Sequence, residues 1–529
     1  MPIVDAVVIG AGPNGLVAAN MLADAGWDVL LCEASEHIGG AVRSAEITAP
    51  GFSSDLFSAF YPLAAASPVI QSLGLADFGL SWTHAPQVLA HLFPDDQAVV
   101  LSRDLATTAA SVERFGAGDG QAWQAMVELW ARIEAPMLDA LMHPLPAPGP
   151  VTRLLRTLGP ADALRLARMA VLPVRRLGQE WFSGPGAPIL LAGNALHADL
   201  PPEGAGSGIY GWLLCMLGQR VGFPVPVGGA QLLSGAMAAR LQARGGQVRT
   251  SAPVVRLELR GNGVRAVILD TGERIETRRA VIADVPAPVL YTELVGPDQL
   301  PARLVEDIKR FQWDAPTMKL NWALRAPIPW SNPEVRSAGT VHLGVDLDGL
   351  TRYAGALAVR RPPPEPFVLM GQMTTADASR SPAGTESAWA YTHLPHGCEG
   401  RPEVIAGQTE RVETLIERHA PGFTDLIIGR AVQSPSVLAA ENPSLRHGAI
   451  NGGTAQLHQQ LVFRPIPGLG GASTPIDRLF LGSSSAHPGG GVHGACGANA
   501  AVAALRRNGR LGSLRRRLLD GTLARLYRD

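Results

Sequence analysis

The sequence predicts an α/β protein, α+β overall, with a Rossmann-like nucleotide-binding domain, a discontinuous substrate domain and a helical insert. Residues 4–9 form a short apolar run typical of a buried strand, and a glycine turn and a helix at 13–25 follow it. A second strand is expected at 28–32. At the C-terminal end, an apolar strand, a glycine-rich loop and a small-residue helix give a second set of nucleotide-binding signals.

The chain is longer than one hydrophobic core usually supports, so more than one structural unit is expected from its 529 residues. We assign the nucleotide-binding domain to three segments, 1–75, 226–300 and 471–529. The substrate domain takes the two segments between them, 76–225, which includes the helical insert, and 301–470.

The composition is apolar for a globular protein, with 46% hydrophobic and 17% charged residues and a mean hydropathy of +0.11. This balance predicts extensive apolar surface or a large apolar cavity. The formal net charge of −1 provides no general attraction for polyanions, so no nucleic acid partner is expected. Nothing in the sequence predicts an oligomeric state.

The glycine turn matches G-x-G-x-x-G between a strand and a helix, and it reads Gly10-Ala11-Gly12-Pro13-Asn14-Gly15. The first glycine permits the tight turn, the second lets the backbone approach a pyrophosphate, and the third allows the helix to pack closely on the strand. Glu33 follows the second strand, where its carboxylate can accept hydrogen bonds from ribose hydroxyls. The sequence therefore predicts a dinucleotide site.

Further elements follow along the chain. A helical pattern extends from about 100 to 225, and a helix at 231–244 ends at two glycines. The expected strands are 254–259 and 264–269, joined as a hairpin, then 280–283, 316–324 and 479–481. The stretch 360–470 is mixed and rich in proline, and the loop 482–494 leads into a helix from about residue 495.

The segment after Glu33 distinguishes FAD from NAD. Ala34 and four more residues separate that acid from Gly39-Gly40, which resembles the E-x5-G-G segment of the glutathione-reductase-type FAD superfamily. The resemblance implies FAD, with the paired glycines close to the pyrophosphate. Relatives often carry arginine directly after the glycines, whereas here the nearest is Arg43, which either contacts phosphate or lies on the surface.

Four further motifs resemble, in their order, those of the phytoene desaturase-like family of carotenoid desaturases and isomerases. They are Pro226-Val227-Gly228-Gly229, Val254-Val255, Ala283-Asp284-Val285-Pro286, and the segment from Leu481 to Gly494. The chain looks most similar to the branch of pyridine nucleotide-disulfide oxidoreductase domain-containing proteins. The resemblance implies that Val255 contacts the adenine side through its backbone. It also places a C-terminal group beside the isoalloxazine, namely Gly482, Gly490, Gly491, Val492 and His493.

The cysteines argue against dithiol chemistry. Cys32, Cys215, Cys398 and Cys496 are far apart and match neither a redox pair nor a metal site, so no metal is expected. They fit a reduced, cytoplasmic compartment, and neither a signal peptide nor a membrane span is expected.

His493 and Lys319 are the candidate catalytic residues. An imidazole in the flavin loop could donate to the flavin or take a proton, although a packing role fits His493 as well. Lys319 lies in a predicted strand, and distant relatives, the flavin amine oxidases, place a lysine on a comparable strand near flavin N5. A solvent-facing strand residue is the alternative. Asp55 matches an acid common after the first motif, and its role is open.

Two basic regions allow a peripheral membrane contact. The helical insert at 151–177 and the tail from Arg506 to Arg528 combine arginine with apolar residues, as do helices that lie on a bilayer. A solvated helix face or a partner interface explains both regions equally well.

Three functions remain open at this point. The first is an FAD-dependent dehydrogenase, desaturase or redox isomerase that takes a hydride from a C–C bond of a hydrophobic, isoprenoid-like substrate, with oxygen, a quinone or another compound as electron acceptor. The second is C–N oxidation of an amine, with Lys319 and an aromatic pocket that includes Trp313 or Trp322. The third is a flavin-binding scaffold without turnover.

Overall fold

The computed structural model describes residues 3–527. Its strands are β1 Ile3–Ile9, β2 Val29–Cys32, β3 Ser44–Ala45, β4 Ser54–Asp55, β5 Trp82–Thr83, β6 Gln87–Leu92, β7 Ala98–Leu101, β8 Val225–Pro226, β9 Gln247–Arg249, β10 Val254–Arg260, β11 Gly263–Leu269, β12 Arg274–Ala283, β13 Thr317–Leu324, β14 Ala338–Leu343, β15 Val368–Gln372, β16 Glu386–His393, β17 Ile427–Gln433 and β18 Leu479–Leu481.

The helices are α1 Pro13–Asp24, α2 Pro62–Ala66, α3 Pro68–Gln71, α4 Leu105–Glu113, α5 Asp119–Met142, α6 Pro148–Met169, α7 Val174–Trp181, α8 Gly186–Ala195, α9 Ser207–Val221, α10 Gln231–Ala243, α11 Ala302–Lys309, α12 Leu347–Ala358, α13 Met373–Ala376, α14 Pro402–His419, α15 Phe423–Leu426, α16 Pro435–Glu441, α17 Ala495–Asn508 and α18 Gly512–Leu526.

The first sheet has a parallel core in the order β9-β2-β1-β12-β18. The hairpin of β10 and β11 extends this sheet, because β11 pairs antiparallel with the first half of β12 while β18 pairs with its second half. Helices α1, α10 and α17 pack together over the sheet, with Leu16, Met237 and Ala501 among the buried contacts. These strands fall within the three segments assigned above to the nucleotide-binding domain.

The second sheet has seven strands in the order β17-β13-β16-β15-β14-β6-β7. Only the β14–β6 pair is parallel. Two apolar clusters cover its faces. One is built on α14, and the other on the helical layer of α4 to α9. All eight residues of β13 are buried, so this strand lies inside the sheet with both faces covered.

The predicted secondary structure agrees with the observed elements over most of the first sheet. The expected strand 4–9 is β1, the expected helix 13–25 is α1, and the strand at 479–481 is β18. The α/β class is therefore confirmed. The stretch 360–470 contains three strands of the second sheet, which its mixed, proline-rich sequence did not predict. The hydrophobic strands β6 and β7 were also not predicted.

Glycine permits the close packing of the N-terminal unit. A Cβ built on Gly15 would lie 2.0 Å from the carbonyl oxygen of Gly10, and one on Gly497 would lie 1.9 Å from that of Asn14. Only hydrogen fits at these contacts between β1, α1 and α17. The spacing of the glycine turn is thus explained by packing as well as by cofactor approach.

The helical insert consists of α6 and α7, and α6 is kinked at Gly159, whose φ is 72°. Within the described residues, none of the helices combines the length and apolarity needed to cross a bilayer. The predicted tail forms the end of α17 and all of α18, while its last arginine, Arg528, lies outside the described residues.

Candidate active site

One elongated cavity of about 440 Å³ extends from the glycine turn to the second sheet. The parallel strands point their carboxyl ends at it, which is where open α/β sheets bind ligands. Gly10 follows β1, Glu33 follows β2, Asp284 follows β12 and Ser483 follows β18, and all four residues line the cavity. We call this part the nucleotide end.

Several predicted cofactor residues line the nucleotide end, namely Gly10, Gly12, Pro13, Asn14, Glu33, Ala34, Gly40, Gly491 and Val492. The first turn of α1 contains no acidic residue of its own, and its N-terminus points the positive end of the helix dipole at the cavity. The side-chain oxygen of Asn14 is buried without a hydrogen-bond partner among residues 3–527. This turn is suited to hold an anionic pyrophosphate.

Two carboxylates lie beside the turn. Glu33 accepts hydrogen bonds from the backbone N–H groups of Ala11 at 2.7 Å and Ser35 at 2.9 Å, which fixes its position at the end of β2. Asp284 accepts one from the N–H of Gly15 at 2.8 Å. Burial raises the pKa of Asp284 to about 7, and the charge of Glu33 adds to this shift.

Gly15, Gly39, Gly482 and Gly490 pack behind the cavity wall and do not line it. Gly39 donates its N–H to the carbonyl of Ala11 at 2.8 Å and adopts a φ of +109°, a left-handed conformation that suits glycine. A Cβ on Gly490 would lie 2.8 Å from the carbonyl oxygen of Asn451. These glycines shape the site through the backbone.

Arg43 and Val255 are two predicted cofactor residues that do not line the cavity. Arg43 is half-buried and donates to the carbonyl of Glu441 at 3.1 Å, while its guanidinium lies 5.2 Å from the centre of the Phe57 ring. The free surface role therefore does not describe Arg43, and its phosphate contact stays a prediction. Val254 lines the cavity, whereas the side chain of Val255 is 48% exposed, because alternate residues of a strand face opposite sides. The contact predicted for Val255 is made by its backbone, so it stays a prediction.

His493 uses both ring nitrogens inside the C-terminal loop. Its Nδ1 accepts the N–H of Ala495 at 3.0 Å, and its Nε2 lies 3.2 Å from the carbonyl oxygen of Gly489. Burial lowers the pKa of His493 to about 4, so the ring is neutral. These contacts favour the packing role, and His493 does not line the cavity. The histidine also occupies the N–H of Ala495 at the start of α17.

Lys319 is buried, so the interpretation as a solvent-facing strand residue is wrong. Its Nζ donates to the carbonyl oxygens of Asp55 and, at 3.0 Å, of Phe57, and it lies 5.1 Å from the centre of the Trp389 ring. Burial lowers the pKa of the ammonium to about 7, although the charges of Asp55 and Glu441 oppose this shift. Lys319 lines the cavity between the nucleotide end and the second sheet.

Asp55, whose role the sequence left open, forms a buried ion pair. Arg380 donates two hydrogen bonds to its carboxylate, at 3.0 and 2.9 Å, and both side chains are fully buried. Arg380 also pairs with Asp377, which accepts the N–H of Gly228. Because Asp55 also accepts the N–H of Ala230, this network joins the second sheet to the start of α10. The large separation of these residues along the chain hid the pairing from sequence analysis.

The other part of the cavity, between the second sheet and the helical layer, is apolar and aromatic. We call it the substrate end, and its lining comprises Phe60, Leu63, His197, Leu214, Phe223, Thr340, Leu369, Trp389 and Tyr391. The rings of Trp389 and Tyr391 are nearly parallel, with 7° between their planes and 6.1 Å between their centres. Among the lining residues of the described chain, only Glu33 and Asp284 carry carboxylates, and both lie at the nucleotide end.

The predicted aromatic pocket was assigned to the wrong tryptophans. Trp322 faces the other side of β13, where it donates to Glu413 at 2.9 Å and packs against Phe423. Trp313 contacts Phe311, and it does not line the cavity. The aromatic lining comes instead from Trp389 and Tyr391 on β16, a strand that the sequence analysis did not predict.

The residues of the nucleotide end fit FAD. The cradle offers backbone approach at Gly10 and Gly12, a helix N-terminus for the phosphates, and the carboxylate of Glu33 for a ribose. Comparison with known proteins is decisive, since the profile of the family of flavin-containing amine oxidoreductases matches residues 14–385. The chain belongs to this family. It is an FAD-dependent oxidoreductase.

Two curated relatives show the range of similar proteins. Pyridine nucleotide-disulfide oxidoreductase domain-containing protein 2 of Rattus norvegicus is 29% identical over 94% of this chain and 93% of its own length. One of the limonene dehydrogenase polypeptides of Castellaniella defragrans is 33% identical, over only 22% of this chain and 21% of the relative. The finer placement among phytoene desaturase-like proteins stays a prediction.

Two solved structures share the fold. An oxidoreductase from Methanosarcina mazei aligns with 95% of this chain and 100% of its own at a TM-score of 0.62 and 13% identity. Putrescine oxidase bound to putrescine aligns with 95% of this chain and 98% of its own at a TM-score of 0.61 and 16% identity. At these identities the likeness is one of fold alone.

The cysteines argue against the dithiol chemistry that the name of the rat relative suggests. Cys32, Cys215, Cys398 and Cys496 are all buried free thiols. Burial raises the pKa of Cys32 to about 11 and that of Cys496 to about 12, which suppresses the reactive thiolate. No two of them form a redox pair, in agreement with the sequence analysis.

Proposed function

We propose that the enzyme oxidises a hydrophobic substrate at a carbon–carbon single bond, as a dehydrogenase, a desaturase or a redox isomerase. The observation that carries this proposal is the lining of the substrate end, which is apolar and aromatic and in which no carboxylate occurs among the described residues. A cationic amine would lose its hydration there without gaining a counter-charge. A hydrocarbon chain gains from the same surroundings.

The residues of the nucleotide end hold the cofactor in this proposal. Gly10, Gly12 and the start of α1 bind the pyrophosphate, and Glu33 binds a ribose. When bound, FAD supplies an isoalloxazine that accepts a hydride. The protein then has to place a substrate C–H bond, exclude water and receive one proton.

Lys319 is the group that fits the proton transfer. Forming a double bond removes a hydride from one carbon and a proton from its neighbour. With a pKa near 7, the Lys319 amine is largely neutral slightly above that pH and can accept this proton. Its two hydrogen bonds to the backbone carbonyls of Asp55 and Phe57 hold the nitrogen in the cavity wall.

C–N oxidation of an amine is the second candidate. Two observations favour it, namely the nearly parallel rings of Trp389 and Tyr391 and the position of Lys319 beside them. An uncharged amine would be needed, because the substrate end contains no carboxylate among the described lining residues. The fold shared with putrescine oxidase is compatible with amine oxidation. It does not distinguish oxidation of a C–N bond from oxidation of a C–C bond.

Anaerobic mixing of the FAD-loaded enzyme with substrate panels distinguishes the candidates. Bleaching of the flavin absorbance near about 450 nm by isoprenoid compounds, and not by amines, is the expected result. Bleaching by amines alone, with peroxide released on admission of oxygen, would replace it with amine oxidation. A flavin that no compound of either panel reduces would favour the non-catalytic scaffold.

We also propose that helix α18 contacts an anionic lipid surface. On the insert, Arg153, Arg165 and Arg168 are paired with acids, which weakens its attraction for lipid. Helix α18 instead exposes Leu514 and Leu518 one turn apart. Its exposed arginines without an ion pair among residues 3–527 include Arg515 and Arg517. Such a face is suited to lie at a membrane interface.

Sedimentation with vesicles containing phosphatidylserine at low salt tests the lipid contact. We expect the wild-type protein to bind, and Leu514→Ser with Leu518→Ser to bind several-fold more weakly. The paired substitution Leu155→Ser with Leu164→Ser on the insert is the control and should change little. No binding by the wild type, or equal loss in both variants, would remove α18 as the contact.

A further inference from the structure

Three histidines form a row behind the substrate end. His91 on β6 and His342 on β14 are directly opposite each other in the sheet, and both are fully buried. His197, just after α8, contacts His342 through the two Nε2 atoms, 2.8 Å apart, and lines the cavity. The mechanism proposed above uses none of them.

The tautomer of His91 is fixed by its partner. Its Nε2 lies 3.0 Å from the carbonyl oxygen of Val345, and a carbonyl can only accept, so this nitrogen carries the hydrogen. The Nδ1 of His91 is buried without a partner in the described chain. His91 therefore offers no acidic hydrogen toward His342.

Only one hydrogen fits between His342 and His197, because two N–H groups cannot face each other at 2.8 Å. Both rings are neutral, since burial lowers the pKa of His197 to about 3 and holds that of His342 well below its ordinary value. One ring is thus the donor and the other is the acceptor. The surroundings of the remaining nitrogen of His342 determine which ring donates.

That remaining nitrogen, the Nδ1 of His342, is buried without a hydrogen-bond partner in residues 3–527. A Cβ built on Gly193 would lie 2.3 Å from it, so a Cα hydrogen of Gly193 faces this atom. A lone pair can accept a weak Cα–H contact, whereas a buried N–H would be left unpaired, which is unfavourable. His342 therefore carries its hydrogen on Nε2 and donates it to His197.

His197 must then carry its own hydrogen on Nδ1. The structure records no hydrogen bond for this atom within residues 3–527. Thr340 supplies an independent observation, because it lines the same part of the cavity and its hydroxyl is buried without a partner. Thr340 and His342 are two residues apart on β14 and so share one face of the sheet. Two donors without a recorded partner therefore belong to one pocket whose other lining is apolar, apart from the hydroxyl of Tyr391.

We propose that His197 and Thr340 together bind a carbonyl oxygen of the substrate and determine specificity for a hydrophobic ketone, aldehyde or ester. A carbonyl oxygen can accept both hydrogen bonds, one from the Nδ1 of His197 and one from the hydroxyl of Thr340. A carboxylate is a poorer fit, since neither donor carries a charge. This assignment rests on the proposed oxidation of a hydrophobic substrate and names its polar group.

Two matched probes test this assignment with the FAD-loaded enzyme. Undecan-2-one carries the carbonyl oxygen, and 2-methylundec-1-ene replaces that oxygen with a CH₂ group. Binding is read from the change in flavin absorbance. We expect the wild type to bind the ketone about tenfold more tightly than the alkene, and His197→Phe and Thr340→Val to bring the ratio close to one.

The exposed residue His396, which does not line the cavity, provides the control, since His396→Phe should keep the wild-type ratio. FAD content shows that each variant is folded, and Thr340→Val preserves the shape if His197→Phe does not fold. Absence of ketone binding, equal binding of both probes by the wild type, or an unchanged ratio in the folded variants would overturn the assignment. A ratio that behaves as expected without any flavin reduction by the substrate panels would instead refute only the proposed oxidation.

Discussion

The Nζ of Lys319 lies 3.0 Å from the carbonyl oxygen of Phe57, so a buried lysine of the second sheet is hydrogen-bonded to the segment that leads from the FAD site. The ammonium keeps few solvent contacts there, and its pKa falls to about 7. The same atom also lies 5.1 Å from the centre of the Trp389 ring. Lys319 is therefore held in the cavity wall between the nucleotide end and the substrate end.

Replacing Lys319 by methionine should slow anaerobic flavin reduction by about 10²-fold, because the proton acceptor is lost. In the wild type the rate should rise with pH through about 7 as the amine becomes neutral, and this inflection should vanish in Lys319→Met. Stopped-flow absorbance between pH 5.5 and 9 measures both. Lys309→Met, on the exposed end of α11, is the control. A variant that retains the inflection would exclude Lys319 as the proton acceptor.

The Asp55–Arg380 pair should contribute strongly to stability. Arg380→Met leaves the buried carboxylate of Asp55 without its guanidinium, so we expect a loss of about 3–5 kcal/mol in the free energy of unfolding. The exposed pair of Arg114 and Glu334 serves for comparison, and Arg114→Met should cost less than about 1 kcal/mol. Urea denaturation followed by circular dichroism measures both. Similar small losses would contradict the importance of the buried network.

Two glycines in helices should respond in opposite ways to alanine. At Gly15 a Cβ would lie 2.0 Å from a backbone oxygen, so Gly15→Ala should weaken folding and FAD retention together. At Gly235 in α10 a Cβ would meet nothing within 4 Å, so Gly235→Ala should stabilise by about 0.5–1 kcal/mol through helix propensity. Thermal denaturation with FAD release as a second signal tests both. Full FAD retention in Gly15→Ala would disprove the packing argument.

Asp284 should make stability depend on pH in the direction opposite to that of a paired carboxylate. Because burial raises its pKa from 3.8 to about 7, the folded protein holds a proton in that interval that the unfolded chain releases. The contribution of Asp284 to stability is therefore present below about pH 4 and lost as the pH rises to about 7.

Asp284→Asn should remove this dependence. We expect the difference in free energy of unfolding between pH 5 and pH 8 to change by more than about 1 kcal/mol relative to the wild type. The exposed Asp270 gives the control Asp270→Asn, which should behave like the wild type. Parallel pH profiles for all three proteins would show that Asp284 does not titrate in this range.

The sequence by itself determined the cofactor half of the molecule. Gly10, Gly12, Gly15 and Glu33 lie within one βαβ unit, so spacing along the chain fixes their spacing in the fold. The α/β class, the strand β18 and the absence of a redox cysteine pair followed from equally local patterns. The sequence predicts such features because hydrogen bonding and helix geometry act over only a few residues.

Only the tertiary structure decided the substrate half. Whether Lys319 faced solvent or a cavity depended on the segment that includes Asp55 and Phe57, whose carbonyl oxygens hold its side chain over the sheet. The pairing of Asp55 with Arg380 and the contact of His197 with His342 each join residues more than a hundred positions apart. No periodicity reports such contacts, because burial and pairing are set by the folding of distant segments onto one another.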